Sequence, residues 1–279
     1  MTASESRKQP PRFQPDRTAY DGPASISTPQ SPGKPTGPAA TDGIINLNKP
    51  AGITSAKALY KVRSITRQRK SGHGGTLDPA ATGVLLLCLG KATKLVELIM
   101  DQPKVYRATA RLDVTSESFD SDRPLIPVSC DRVPDIDEIR QALSAMEGVV
   151  EQAPPAISAI KIGGRPAYKL ARRGQPLDLA PRSVRIYWTQ IHSYAWPFVD
   201  FEMCCGRGTY VRSVIRDLGV AVGTGGCLTG LIRTRTGPFA LEDAWTLDEL
   251  SNASPDAFVV PLDEARQRLL AGREIIPVC

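Results

Sequence analysis

The chain has 279 residues, 41% of them hydrophobic and 23% charged, enough for one large domain or a domain with an appendage. No run approaches the roughly 20 uninterrupted apolar residues of a membrane span, and the N-terminus lacks the apolar core of a secretory signal, so a cytoplasmic chain with no membrane partner is expected. Six cysteines show no CxxC spacing and the two histidines, His73 and His192, lie far apart. That argues against a zinc site or a redox pair, while a net charge of +6 favours a polyanionic partner.

Residues 1–42 are rich in Pro, Ser, Thr, Gln and Gly with hardly any aliphatic residues. Such a segment buries too little apolar surface to offset the entropy of ordering, so a disordered tail is expected. Order begins at Gly43, where Gly-Ile-Ile-Asn-Leu-Asn-Lys-Pro reads as a short strand ended by Pro50. Thr54 or Ser55 then caps a helix expected to run to Lys70, with Ala58, Leu59, Val62 and Ile65 at helical spacing. Lys57, Lys61, Arg63, Arg67, Arg69 and Lys70 crowd the same segment and give it a positive face. A second basic group, Lys161, Arg165, Lys169, Arg172 and Arg173, follows about a hundred residues later. Two such groups flanking a candidate site suit contacts to phosphates.

Between them lies Gly72-His73-Gly74-Gly75-Thr76-Leu77-Asp78-Pro79-Ala80-Ala81-Thr82-Gly83-Val84-Leu85. One carboxylate sits on a glycine-rich turn that leads straight into an apolar run. Pro79 fixes its own φ and biases Asp78 toward an extended backbone. The residues alone leave two readings open: a nucleophile or base held in place, or an Asp that caps a turn.

Downstream, Val84–Leu89 reads as a buried strand and Lys91–Met100 as an amphipathic helix. Val105–Val114 alternates in period two, with Tyr106, Ala108, Ala110, Leu112 and Val114 on one face. Asp135–Glu147 reads as a helix ended by Gly148, and Arg165–Arg173 as a shorter one ended by Gly174. Val184–Tyr194 with Phe198–Cys205 forms a hairpin, Thr209–Val220 a helix and Cys227–Arg235 the last core strand. Strands and helices mix without a βαβ rhythm, so an α+β fold with a mixed, largely antiparallel central sheet and flanking helices is expected. Gly90-Lys91 fails as a P-loop because Ala92 stands where Ser or Thr is required, and Gly223–Gly226 opens no dinucleotide-binding unit.

The Gly72–Leu85 stretch closely resembles the signature of the TruB family, the bacterial synthases that convert uridine 55 of tRNA to pseudouridine. Three further segments resemble the same family in the family's order: GIINLNKPAGITS (43–55), PPAISAIKIGGRPAYKLARRG (154–174) and GRGTYVRSVIRDLG (206–219). The resemblance covers about residues 43–250 and implies one catalytic domain there, a mixed sheet with an active-site cleft across its middle. Residues 251–279 would then be the start of a small RNA-binding domain, either cut short or packed back on the core.

The resemblance further implies isomerisation of a flipped-out uridine in the tRNA T-arm, by a monomer without cofactor, metal or obligate protein partner. It makes Asp78 the nucleophile and Arg172 its basic partner. Tyr106 stacks on the target base and assists a proton transfer, and His73 fills the stack the base vacates. Leu170 stands where some members carry a stacking Tyr and would pack on the pyrimidine. Lys49 is expected to orient the catalytic loop and Arg212 to be structural or phosphate-facing, both on the substrate-binding side. The rival from another class is a catalytically inactive RNA-binding or RNA-folding protein on the same scaffold. The intact set Asp78, Arg172, Tyr106 and His73 speaks against it.

Overall fold

The computed structural model describes residues 42–157, 161–162, 165–166 and 179–272. The tail expected to be disordered, residues 1–41, lies outside the described residues, as does most of the expected helix Arg165–Arg173.

In chain order the strands are β1 Gly43–Lys49, β2 Ser71–His73, β3 Thr82–Leu89, β4 Lys104–Arg111, β5 Val114–Thr115, β6 Ile126–Pro127, β7 Gly148–Gln152, β8 Lys161–Ile162, β9 Arg165–Pro166, β10 Arg182–Ala195, β11 Phe198–Cys205, β12 Cys227–Thr236, β13 Phe239–Ala240 and β14 Val260–Pro261. The helices are α1 Ser55–Thr66, α2 Val96–Met100, α3 Ile136–Ser144, α4 Val211–Ala221, α5 Leu247–Asn252, α6 Pro255–Phe258 and α7 Leu262–Ala271. The main sheet runs β14-β1-β3-β12-β4-β11-β10-β7, with β2 added to β3 and β13 to β12. Its pairings are antiparallel except that of β3 with β12, which is parallel. This is the mixed α+β architecture expected.

β1 and β3 are buried along almost their whole length because both faces of the sheet are covered there. Ile45, Leu47, Leu85 and Leu87 point into the larger core with α1 and α4. Ile44, Val84, Leu86 and Cys88 point into a second cluster with α2 and α7. The α7 residues Ala265 and Leu269 are fully buried in that second cluster, and β14 pairs with β1, so the residues beyond 250 extend the sheet edge.

Several expected elements have different bounds. Helix α1 ends at Thr66 rather than Lys70, because Arg67 takes a left-handed conformation (φ 54°) that cannot continue a helix. The expected helix Lys91–Met100 divides into a 3-10 turn, Gly90–Leu95, followed by α2. β4 stops at Arg111, and Val114 belongs to the separate short strand β5. Helix α3 starts with a reciprocal cap between Asp135 and Glu138, and Gly148 begins β7 instead of ending the helix. Arg165 and Pro166 do not begin a helix. They pair with Ile162 and Lys161 across a two-residue connection.

Candidate active site

The Asp78 loop connects β2 to β3 and is held from two sides. Ser55, the first residue of α1, donates through Oγ to the Leu77 carbonyl (3.0 Å) and accepts from the Leu77 N–H (2.9 Å). On the other side of Asp78, the Pro79 carbonyl accepts from the Gly52 N–H (2.8 Å) and from Lys49 Nζ (3.2 Å). Lys49 also donates to the carbonyls of Pro50 (2.8 Å) and Ile53 (2.9 Å) and is fully buried. Burial is the main force that lowers its pKa to about 8, with Asp78 opposing that shift. Lys49 therefore joins the chain around Pro50 and Ile53 to the Pro79 end of the Asp78 loop through backbone carbonyls.

Where the loop enters β3, Gly83 has φ +100° and a Cβ there would lie 2.2 Å from the Arg233 carbonyl. Only glycine lets β12 approach this closely. That approach, the parallel pairing of Arg233 with Gly83, brings β12 and its antiparallel partner β4 beside the Asp78 loop.

Asp78 lies in a cavity of about 260 Å³ lined also by Tyr106, Arg212, Arg233, Lys104 and Leu231. The carboxylate is partly exposed, and Arg212 Nε meets its Oδ2 at 3.0 Å from a side chain that is only 6% exposed. Arg212 comes from the first turn of α4, and its Nη1 donates to the carbonyls of Ser118 (3.2 Å) and Ile157 (3.0 Å). Besides being buried and fixed by these two carbonyls, the Arg212 guanidinium faces the Asp78 carboxylate. Arg172, expected in that place, and Leu170 lie outside the described residues. Behind Arg212, the buried Asp120 has its pKa raised to about 6, chiefly by desolvation and by Asp122, with Arg212 opposing.

Tyr106, on β4, is buried against the cavity, and burial raises its pKa. His73 ends β2, opposite Leu87 on β3, and is not part of the cavity lining. Burial, aided by the positive charge of Arg233, lowers its pKa, and its Nδ1 has no partner among the described residues. The structure therefore brings Asp78, Tyr106 and Arg212 together, with Lys49 under the loop and His73 at its entrance.

Arg233, Lys104 and Leu231 were not anticipated. Leu231 and Arg233 sit two apart on β12, so an arginine in phase with an inward leucine was the available signal. Lys104 gives none, since its burial comes from donating to the carbonyls of Ile99 (3.3 Å), Met100 and Gln102 (2.7 Å).

Comparison with known proteins places this arrangement. The model described as the TruB family pseudouridylate synthase N-terminal domain matches residues 63–211, and that of the tRNA pseudouridylate synthase B C-terminal domain matches residues 212–266. The tRNA pseudouridine synthase B of Syntrophus aciditrophicus (strain SB) is 42% identical over 236 residues, covering 82% of this chain and 75% of that protein. That of Burkholderia mallei (strain NCTC 10247) is 41% identical over 230 residues, covering 80% and 75%. Among solved structures, a chain of a Cbf5-Nop10-Gar1 complex superimposes with a TM-score of 0.65 at 29% identity, over 82% of this chain and 63% of that one. The fold is that of the pseudouridine synthases. The chain belongs to the TruB family of pseudouridylate synthases.

Proposed function

We propose that this enzyme converts uridine to pseudouridine at position 55, in the T-loop of tRNA, with Asp78 as nucleophile and without cofactor or metal. In the net reaction the N1–C1′ bond breaks and a C5–C1′ bond forms, while C5 loses a proton and N1 gains one. No electrons are gained or lost, so the chemistry calls for a nucleophile and proton transfers rather than a redox group. A carboxylate can form and release a covalent adduct. The observation that carries this reading is the Asp78–Arg212 pair inside a tyrosine-walled cavity.

Each group has a task in that scheme. Arg212 orients the carboxylate through Oδ2, the task the sequence resemblance assigned to Arg172. Tyr106 offers a flat face to a pyrimidine and an O–H for proton transfer. A uridine within a folded T-loop must be flipped out, at a cost of a few kcal/mol, and the His73 imidazole would fill the vacated stack. Lys57, Lys61, Arg67 and Arg69 are exposed on and just after α1. Because Ser55 ties α1 to Leu77, phosphates gripped by that helix would be held at a set distance from Asp78. That geometry suits an enzyme that reads the T-arm without a partner protein.

The test is tritium release from a T-arm transcript labelled at carbon 5 of uridine 55. Release at that position and none from uridines elsewhere in the same RNA is expected. Tight RNA binding with no release at micromolar enzyme would instead identify a binding protein on this scaffold.

A further inference from the structure

Arg233 is 1% exposed and among the largest fully buried side chains. It donates through Nε to the Val84 carbonyl (2.6 Å), through Nη2 to the Gly75 carbonyl (3.4 Å) and through Nη1 to the phenol oxygen of Tyr106 (3.4 Å). Among the described residues no ion pair joins it to a carboxylate. A buried guanidinium without a carboxylate is costly, and well-packed apolar residues commonly replace buried charges without loss of stability. The positive charge of Arg233 is felt nearby: it works with burial to lower the pKa of Lys49, Lys104 and His73.

Tyr106 lies directly opposite Arg233 in the β4–β12 ladder, and both line the cavity. Arginine has donors and no acceptor. The phenol oxygen must therefore accept from Arg233, and its own hydrogen cannot point at the guanidinium. The direction left to that hydrogen is away from Arg233.

We propose that Arg233 is a positioning residue that works through Tyr106, taking the acceptor side of the phenol oxygen and turning its O–H toward the target base. This rests on the reading of Tyr106 as the residue that faces the flipped uridine. Arg233 also reaches the Asp78 loop at Gly75, so one side chain aligns the proton-handling group with the loop that carries the nucleophile.

A double-mutant cycle in single-turnover kinetics, at saturating T-arm RNA, tests it. The set is wild type, Tyr106→Phe, Arg233→Gln and the double variant, with Arg233→Lys to keep charge but lose the fork. Tyr106→Phe keeps the ring and removes only the hydroxyl. Arg233→Gln is expected to slow isomerisation about 100-fold, yet only about threefold in the Tyr106→Phe background. Arg233→Lys should recover about tenfold of that loss, with RNA affinity unchanged throughout. Equal slowing by Arg233→Gln in both backgrounds would overturn the proposal, since the arginine would then act independently of the hydroxyl. If the glutamine variant does not fold, the lysine variant carries the same cycle, and equal slowing in both backgrounds again overturns it. A Tyr106→Phe enzyme as fast as wild type would instead remove the reading of Tyr106 on which the proposal stands.

Discussion

At the scale of single residues, the proposed chemistry rests on one carboxylate and the cations around it. Asp78→Asn keeps the shape of the side chain but cannot act as a nucleophilic carboxylate. Turnover should vanish while RNA affinity and the melting curve stay close to wild type. Activity within about tenfold of wild type would mean that another group does the chemistry. Asp120 makes a separate prediction about stability. Its folded pKa is about 6 against the 3.8 of a solvated aspartate, raised first by desolvation. The folded state thus holds a proton that the unfolded state releases between those values. The stability it contributes is fully present below the unfolded pKa and is lost as pH rises through about 6. Asp120→Asn never ionises, so its melting temperature should match wild type near pH 4 and exceed it by several degrees near pH 7. An equal gap at both pH values would show that the carboxyl does not titrate in this window. The candidate nucleophile was legible from Gly72–Leu85 because a glycine-bounded Asp-Pro turn is a local pattern. Its partner Arg212 was not, because 134 residues of chain separate the two and only the approach of α4 to the loop brings them within 3.0 Å.

At the scale of elements, α1 is proposed to join RNA affinity to the site. Its buried residues Ala58, Leu59 and Val62 fix one face on the core, which leaves Lys57 and Lys61 in solvent. Arg63 is partly withdrawn, its Nε donating to Ser71 Oγ at 2.6 Å, so it also ties α1 to β2. If the exposed cations grip phosphates, log K for RNA should fall with log salt by roughly 0.7 to 0.9 per phosphate engaged. Replacing Lys61 and Arg67 by Ala should flatten that slope by about one unit for each phosphate no longer gripped, with the rate at saturating RNA unchanged. An unaltered slope would place the RNA on another face. The helix itself was plain from its period and its Thr54 cap, which accepts from the Lys57 N–H at 3.1 Å. Its end was not, since the left-handed turn at Arg67 has neither Gly nor Asn to announce it.

At the scale of the whole molecule, the sheet and its two covered faces present an organic site: one carboxylate, buried cations and a phenol. We expect chelators to leave the rate unchanged, in keeping with the cysteine spacing and the scarcity of histidine. Loss of turnover in EDTA, restored by a divalent ion while the RNA stays folded, would contradict this. Most strands were legible in kind because period-two alternation and unbroken apolar runs report burial of one face or two. Their order was not legible. Nothing local says that β12 returns to lie parallel to β3 and antiparallel to β4.

The sequence by itself determined the family, through four separated motifs, and with it the class of reaction and the candidate nucleophile. It also determined the main strands and helices, because hydrophobic period and capping are properties of neighbouring residues. The tertiary structure alone decided which cations meet which groups: Arg212 at the carboxylate and Arg233 behind the phenol. A charge in a sequence reads the same whether solvated or buried. Only the fold, by removing water and bringing distant strands into register, gives it a partner and a task.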